Sequence, residues 1–157
     1  MAITQARMNT KLSKIIILYA SLLCLSMGCQ KLSSLDVPET VRTVFAKDYS
    51  NAKFSTWDKE TFEGKVVYEA EGVNVGTITR NVMYSPEGQV VQTEDSMPVA
   101  DVPASITSAV NQQHPQATIA SAEKRTHAGT VEYALKLKGA AVKMVVVDSV
   151  AKIISTK

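Results

Sequence analysis

Past Cys29 the sequence contains no cysteine, and the other one, Cys24, lies inside an apolar run near the N-terminus. A folded region without thiols cannot be stapled by disulfides and cannot build a thiolate metal site. Histidine is nearly as scarce: His114 and His127 are the only two, and neither stands with carboxylates at a metal-ligand spacing. No Gly-x-Ser-x-Gly elbow and no glycine-rich phosphate loop occurs. A hydrolase needs a nucleophile and a base brought together. His114 instead closes an apolar helical stripe, where a structural role accounts for it, and His127 falls in a hairpin loop, where solvent exposure does. Glu69 and Glu71 are two apart on one strand and so share a face; a solvated outer face explains them more simply than a catalytic carboxylate pair. The expectation is a non-enzymatic chain without metal or cofactor.

An excess of one charge is also missing. Seventeen Lys and Arg stand against 15 Asp and Glu, a formal net charge of +2. Residues 1–28 carry Arg7, Lys11 and Lys14 and no acid, so without them the balance is 14 against 15 and the net charge is −1. A near-neutral chain with interspersed charges offers no electrostatic case for nucleic acid. The single long apolar run, Ile15 to Leu25, is too short to span a bilayer comfortably. Basic residues before it and small residues after it make the secretory pattern, with Met8 an alternative start that would give a more usual leading segment. The run ends in Leu25-Ser26-Met27-Gly28-Cys29, which resembles the lipobox of bacterial lipoproteins. That resemblance implies cleavage after Gly28 and acylation of Cys29. Acyl chains at about 0.8 kcal/mol per buried methylene would hold the protein on a membrane. Gln30, rather than Asp, after the cysteine favours the outer membrane. Residues 1–28 are therefore expected to be a lipoprotein signal and 29–34 a short tether.

What the sequence does have is an internal echo. Asp36-Val37-Pro38 recurs as Asp101-Val102-Pro103, and at the same spacing of 65 residues Ala52, Lys59, Thr61, Gly64, Val66 and Tyr68 recur as Ala117, Lys124, Thr126, Gly129, Val131 and Tyr133. Nine identities in 36 ungapped positions compare with roughly two by chance. Such self-similarity is the mark of a duplicated module, with 35–97 as a first repeat and 98–157 as a second.

Each half opens with a helix signal. Asp36 and Asp101 are candidate N-caps, and Pro38 and Pro103 fit a first turn. Val37, Val41, Val44, Phe45 and Tyr49 form one apolar stripe at helical spacing, and Val102, Ile106, Ala109, Val110 and His114 form the other. The remainder reads as strands: Lys53–Lys59, Lys65–Glu71, Thr77–Tyr84 and Gln89–Glu94, then Thr118–Arg125, Thr130–Lys138, Ala141–Val147 and Lys152–Thr156. The predicted fold class is α+β, two tandem repeats of one helix plus a four-stranded antiparallel meander, with the helices on one face of the sheet and a shared interior.

Val37-Pro38, Phe45, Tyr49, Ala52, Trp57, Lys59, Tyr68 and Gly88, with Val102-Pro103, His114-Pro115, Ala117, Glu123-Lys124 and Tyr133, resemble the PepSY-like, β-lactamase-inhibitor-like domain family. The resemblance spans Leu35 to Lys157. It implies an exported bacterial protein that acts by binding, through an open sheet face, and it brings no catalytic residue. The expected function is a lipid-anchored envelope protein that recognises a protein or polymer. Inhibition of an exported peptidase or β-lactamase is a narrower reading, using Gly72–Gly76 or Lys124–Gly129 as an inserting loop. A carboxylate-dependent enzyme built on Glu69 or Glu132 stands as a third. Strict alternation from Phe54 sets Trp57 outward, so the expected partner-binding residues are Trp57, Lys59, Glu69 and Glu71.

Overall fold

A computed structural model describes residues 30–157; the expected signal segment 1–28 and the expected lipid-attachment residue Cys29 lie outside the described residues. In chain order the elements are β1 (Gln30–Leu32), α1 (Glu39–Asp48), β2 (Thr56–Phe62), β3 (Lys65–Val75), β4 (Ile78–Tyr84), β5 (Val90–Met97), α2 (Ala104–Gln113), β6 (Thr118–His127), β7 (Thr130–Lys138), β8 (Met144–Asp148) and β9 (Ile153–Thr156). Two short 3-10 turns, Ser34–Asp36 and Val99–Asp101, precede the helices.

The strands form one antiparallel sheet of nine, ordered along the sheet as along the chain. Local chemistry fixes the two longest hairpins. Glu63-Gly64 and Ala128-Gly129 all have positive φ, the signature of two-residue type I′ turns, whose twist matches that of the flanking strands. The register follows, with Phe62 opposite Lys65 and His127 opposite Thr130.

The helices start later than the aspartates suggest. Val37 and Val102 are extended, with ψ of 134° and 128°, because a residue before proline avoids helical geometry. That break leaves Asp36 and Asp101 in the 3-10 turns, and Pro38 and Pro103 take the N-cap positions without a side-chain cap bond. Tyr49 and His114 end the helices, donating their backbone N–H to Phe45 and Val110.

Both helices cover the same face of the sheet, over separate apolar clusters. Under α1, Val41 and Phe45 meet Trp57, Ala70, Val82 and Tyr84. Under α2, Ile106 and Val110 meet Ala122, Leu135, Val145 and Val147. The expectation of a common interior is thereby corrected: the six residue pairs between β5 and β6 join two distinct cores.

The expected α+β fold of two helix-plus-meander repeats is corrected as well. This is a mainly-β fold, one continuous nine-stranded sheet carrying two ten-residue helices. Two features decide it. Strands β5 and β6 pair directly, so neither set of strands closes as a sheet of its own. Residues Gln30–Leu32, read as tether, pair with Trp57–Lys59 as the edge strand β1. Among the described residues no helix is long and apolar enough to cross a membrane.

Candidate functional site

The face of the sheet without helices carries the chemistry. Cross-strand partners share a face, and one row runs Asp58, Glu69, Met83, Gln92 and His127 across β2 to β6. The next runs Asn81, Glu94, Arg125, Glu132 and Asp148 across β4 to β8. With no helix above them, these side chains should be solvated. Yet Asp58 is 2% exposed, Glu69 4%, Gln92 5% and Arg125 8%, and their apolar neighbours Val67, Met83 and Ala134 are buried too.

The sheet curls toward this face and makes it bury itself. Four strand spacings at about 4.8 Å put roughly 19 Å between β2 and β6 in a flat sheet. Instead the Phe62 ring on β2 stands 5.1 Å from the imidazole of His127 on β6. Glu63 Oε1 comes within 3.8 Å of His127 Nε2, and His127 Nδ1 lies 2.9 Å from the carbonyl oxygen of Val91. The tips of the β2–β3 and β6–β7 hairpins thus meet over the rows of polar side chains.

Inside the curl two halves differ. On the β5–β6 side the acids have a cation of their own. Arg125 Nε sits 3.2 Å from Glu94 Oε1, and its Nη2 donates to Glu123 Oε2 at 3.3 Å. Gln92 Nε2 donates to the same Glu94 oxygen at 2.7 Å. Burial raises the pKa of Glu94, and Arg125 opposes the rise. On the β2–β3 side Asp58 faces Glu69, with Glu71 and Glu60 one step to either side on the same face. Burial, and then the charges of Glu60, Glu94, Glu71 and Asp58, push the Glu69 carboxyl up to about 8, so it holds its proton at neutral pH. Glu71 is raised by burial and by Asp58, while Lys31 on β1 pulls it down. Oδ1 of Asp58 is buried and accepts no hydrogen bond, an uncommon state for a buried oxygen.

The expected binding set is divided by this geometry. Glu69 and Glu71 lie on the helix-free face, but Trp57 and Lys59 point the other way, paired with Ala70 and Tyr68. Trp57 is 3% exposed and packs edge-on against Phe45 and Phe54, with ring centroids 5.0 and 5.6 Å apart. It is a core residue, and its expected role as an exposed anchor is corrected. Alternation fails from Phe54 because β2 begins only at Thr56, so both aromatic rings reach Phe45. Lys59 is exposed on the helix side of the sheet.

The expected inserting loops are corrected as well. Gly72–Val75 continues β3, through a bulge in which Gly72 has a φ of +66° and a Cβ would stand 2.5 Å from Ser55 Oγ. Lys124–His127 belongs to β6. His114 is half-buried at the end of α2, and His127 is half-buried at the hairpin contact rather than free in solvent. Asp58, Glu60, Glu94 and Arg125 escaped the sequence reading. The signal for the first two was the Glu63-Gly64 turn, whose type fixes the register that sets Asp58 opposite Glu69.

No family model and no curated protein matches the chain. Solved structures do. A protein of Bacteroides eggerthii described as periplasmic superposes with a TM-score of 0.64 at 13% identity, covering 77% of this chain and 88% of that one. A DUF2874 family protein of Bacteroides uniformis gives 0.63 at 15%, covering 76% and 88%. A BLIP-like protein of Bacteroides fragilis gives 0.58 at 13%, covering 76% and 85%. The chain has the fold of the DUF2874 and BLIP-like proteins.

Proposed function

We propose that the protein is a non-catalytic component of the bacterial cell envelope that binds a protein or polymer through the helix-free face of its sheet. The observation that carries this reading is the retention of Asp58, Glu69 and Arg125 as buried charged or ionisable groups on a face that no helix covers. Purely structural packing would fill such positions with apolar residues, since burying ionisable groups is unfavourable unless each is paired. The fold shared with proteins described as periplasmic and the secretory pattern of residues 1–28 support export. The lipobox resemblance supports a lipid anchor at Cys29 and attachment to the outer membrane. The test is capture of envelope proteins and polymers by the wild-type chain and by a variant carrying Glu60→Lys and Glu71→Lys. A ligand held equally by both would sink the reading. The intact mass of the mature protein reports the acyl chains on Cys29, and an unmodified N-terminus would remove the anchor.

Inhibition of an exported peptidase or β-lactamase is a narrower form of this reading, supported by the PepSY-like resemblance and the BLIP-like neighbour. A panel of such enzymes assayed with micromolar protein tests it. The carboxylate-dependent enzyme keeps one supporting observation, a protonated Glu69 directly across from Asp58, a proton donor beside an acceptor. Glu69 is 4% exposed, so a substrate would have to open the curl to reach it, and binding at the face is the better reading.

A further inference from the structure

We propose that the contact of His127 with Phe62 and Glu63 is a pH-set latch over the helix-free face, closed when the imidazole is protonated and loosened when it is neutral. The inference rests on the reading of this face as the binding surface and adds how access to it is regulated. The latch stands where two hairpin tips meet, Glu63-Gly64 turning one and Ala128-Gly129 the other. Their strands, β2 and β6, are three strands apart in the sheet, so the contact exists only while the sheet is curled. The row that ends at His127 holds Glu69, Met83 and Gln92. Each is no more than 5% exposed, on a face that no helix covers. Whatever loosens the tips therefore uncovers these side chains.

The protonation of one nitrogen sets the sign of the contact. His127 Nδ1 lies 2.9 Å from the carbonyl oxygen of Val91. That oxygen can only accept, so Nδ1 carries a proton and donates it. In the neutral ring Nε2 is then the bare nitrogen, and it stands 3.8 Å from Glu63 Oε1. A lone pair there meets a carboxylate, and the contact is repulsive. Protonation places an N–H on the same nitrogen and turns the contact into an ion pair. The Phe62 ring, 5.1 Å from the imidazole, packs against it in either state. The side chains of His127 and Glu63 are 34% and 44% exposed, so water screens the pair. An exposed pair of this kind changes the ratio of closed to open forms by up to about fivefold.

Other charged groups share the face around His127. Glu60 lies on β2, Lys65 on β3 opposite Phe62, Glu94 on β5 and Glu132 on β7, with Arg125 two residues away on β6 itself. Burial raises the Glu132 carboxyl, and Arg125 and His127 lower it, so the imidazole faces this acid as well as Glu63. Glu69, deeper in the row, keeps its proton up to about 8. Histidine is the side chain that ordinarily changes charge between pH 5 and 8. The latch is therefore closed in mildly acidic solution and loosens toward neutrality, before Glu69 ionises.

The experiment is oxidation of the full chain, as isolated from the envelope, by dilute hydrogen peroxide at pH 5 and pH 7. Methionine sulfoxide is read residue by residue by mass spectrometry. The thioether carries no proton in this range, so its rate reports access. Met83 is buried in the row beneath the latch, and half-buried Met144 on β8 shares the face beyond the curl and serves as the reference. The expected result is a Met83 rate, relative to Met144, that rises about two- to fivefold from pH 5 to pH 7. In Glu63→Gln, and in His127→Phe, which keeps an aromatic ring beside Phe62, the ratio is expected to be the same at both pH values. An unchanged ratio in the wild-type chain would overturn the latch. So would a rise that persists in His127→Phe, which would assign it to the carboxylates of the face. Capture of envelope ligands tests the binding surface separately, so a latch that fails leaves that reading standing.

Discussion

The imidazole of His127 lies 5.1 Å from the ring of Phe62 although three strands separate β2 from β6 in the sheet. Contacts between aromatic rings stabilise by about 0.5–1.5 kcal/mol beyond the area they bury. A double-mutant cycle of Phe62→Ala and His127→Ala, read from urea unfolding, is expected to give a coupling of that size. Additivity within about 0.3 kcal/mol would mean that the hairpin tips do not support each other.

Stability should fall as the solution becomes more basic. An ordinary glutamate ionises near about 4.3 in the unfolded chain, whereas Glu69 in the folded protein holds its proton to about 8. Between those values the folded state binds the extra proton, so stability is greatest near the lower limit and is lost as pH rises to the upper one. Glu71, Glu94 and Glu132 are raised by burial and act with the same sign. Urea midpoints at pH 5, 7 and 9 are expected to decrease in that order. Glu69→Gln should flatten the profile and stabilise the protein at pH 8 by at least about 1 kcal/mol.

Arg125 is expected to matter most when Glu94 is charged. Removing one partner of a buried pair is destabilising by about 3 kcal/mol or more. Arg125→Met should lose that much at pH 8 and less at pH 5, because burial raises Glu94 and so favours its neutral form as the pH falls. Adding Glu94→Gln to Arg125→Met should restore most of the loss. An equal loss at both pH values would assign Arg125 a packing role instead.

Tyr84 is fully buried with a hydroxyl that finds no partner. An unpaired buried polar group is unfavourable, and its removal can be neutral or stabilising. Tyr84→Phe is therefore expected to leave the melting temperature unchanged or raise it, while Tyr84→Ala should cost about 3 kcal/mol or more.

Gly88 and Ala151 stand in the turns that close the β4–β5 and β8–β9 hairpins, with φ of +82° and +65°. A side chain in that region is strained by roughly 1 kcal/mol. Ala151→Gly should stabilise by about that amount. Gly88→Ala should destabilise by more, since its Cβ would also press to 3.2 Å from Thr40 O and Val44 Cγ2 of α1.

The helices and most of the strands were legible because their apolar positions recur at 3.6 or at 2 residues, as in Val41/Phe45 and in Val131, Tyr133, Leu135 and Leu137. The mainly-β architecture was not, because direct pairing of β5 with β6 depends on contacts far apart in the chain that no local period records. Trp57 was misplaced by counting alternation from Phe54, a residue outside the strand. Counting from the Glu63-Gly64 turn gives the right face, since a two-residue turn fixes every pair behind it, Asp58 with Glu69 included. The burial of those carboxylates was beyond reach of the sequence: it comes from the curl that brings Phe62 to His127, and curl is a property of the whole sheet.

The two apolar clusters, one beneath each helix, have a calorimetric consequence. They are joined through the seam of backbone pairs between Gln92–Met97 and Ala122–His127, with the Arg125–Glu94 ion pair across it and the Phe62–His127 contact at the hairpin tips, links that bury little apolar area between the two clusters themselves. Heating can thus melt one nucleus while the other persists, and the enthalpy measured directly in a scan should exceed the one inferred from the sharpness of the transition. A substitution beneath one helix, such as Val41→Ala, should then split a single endotherm into two.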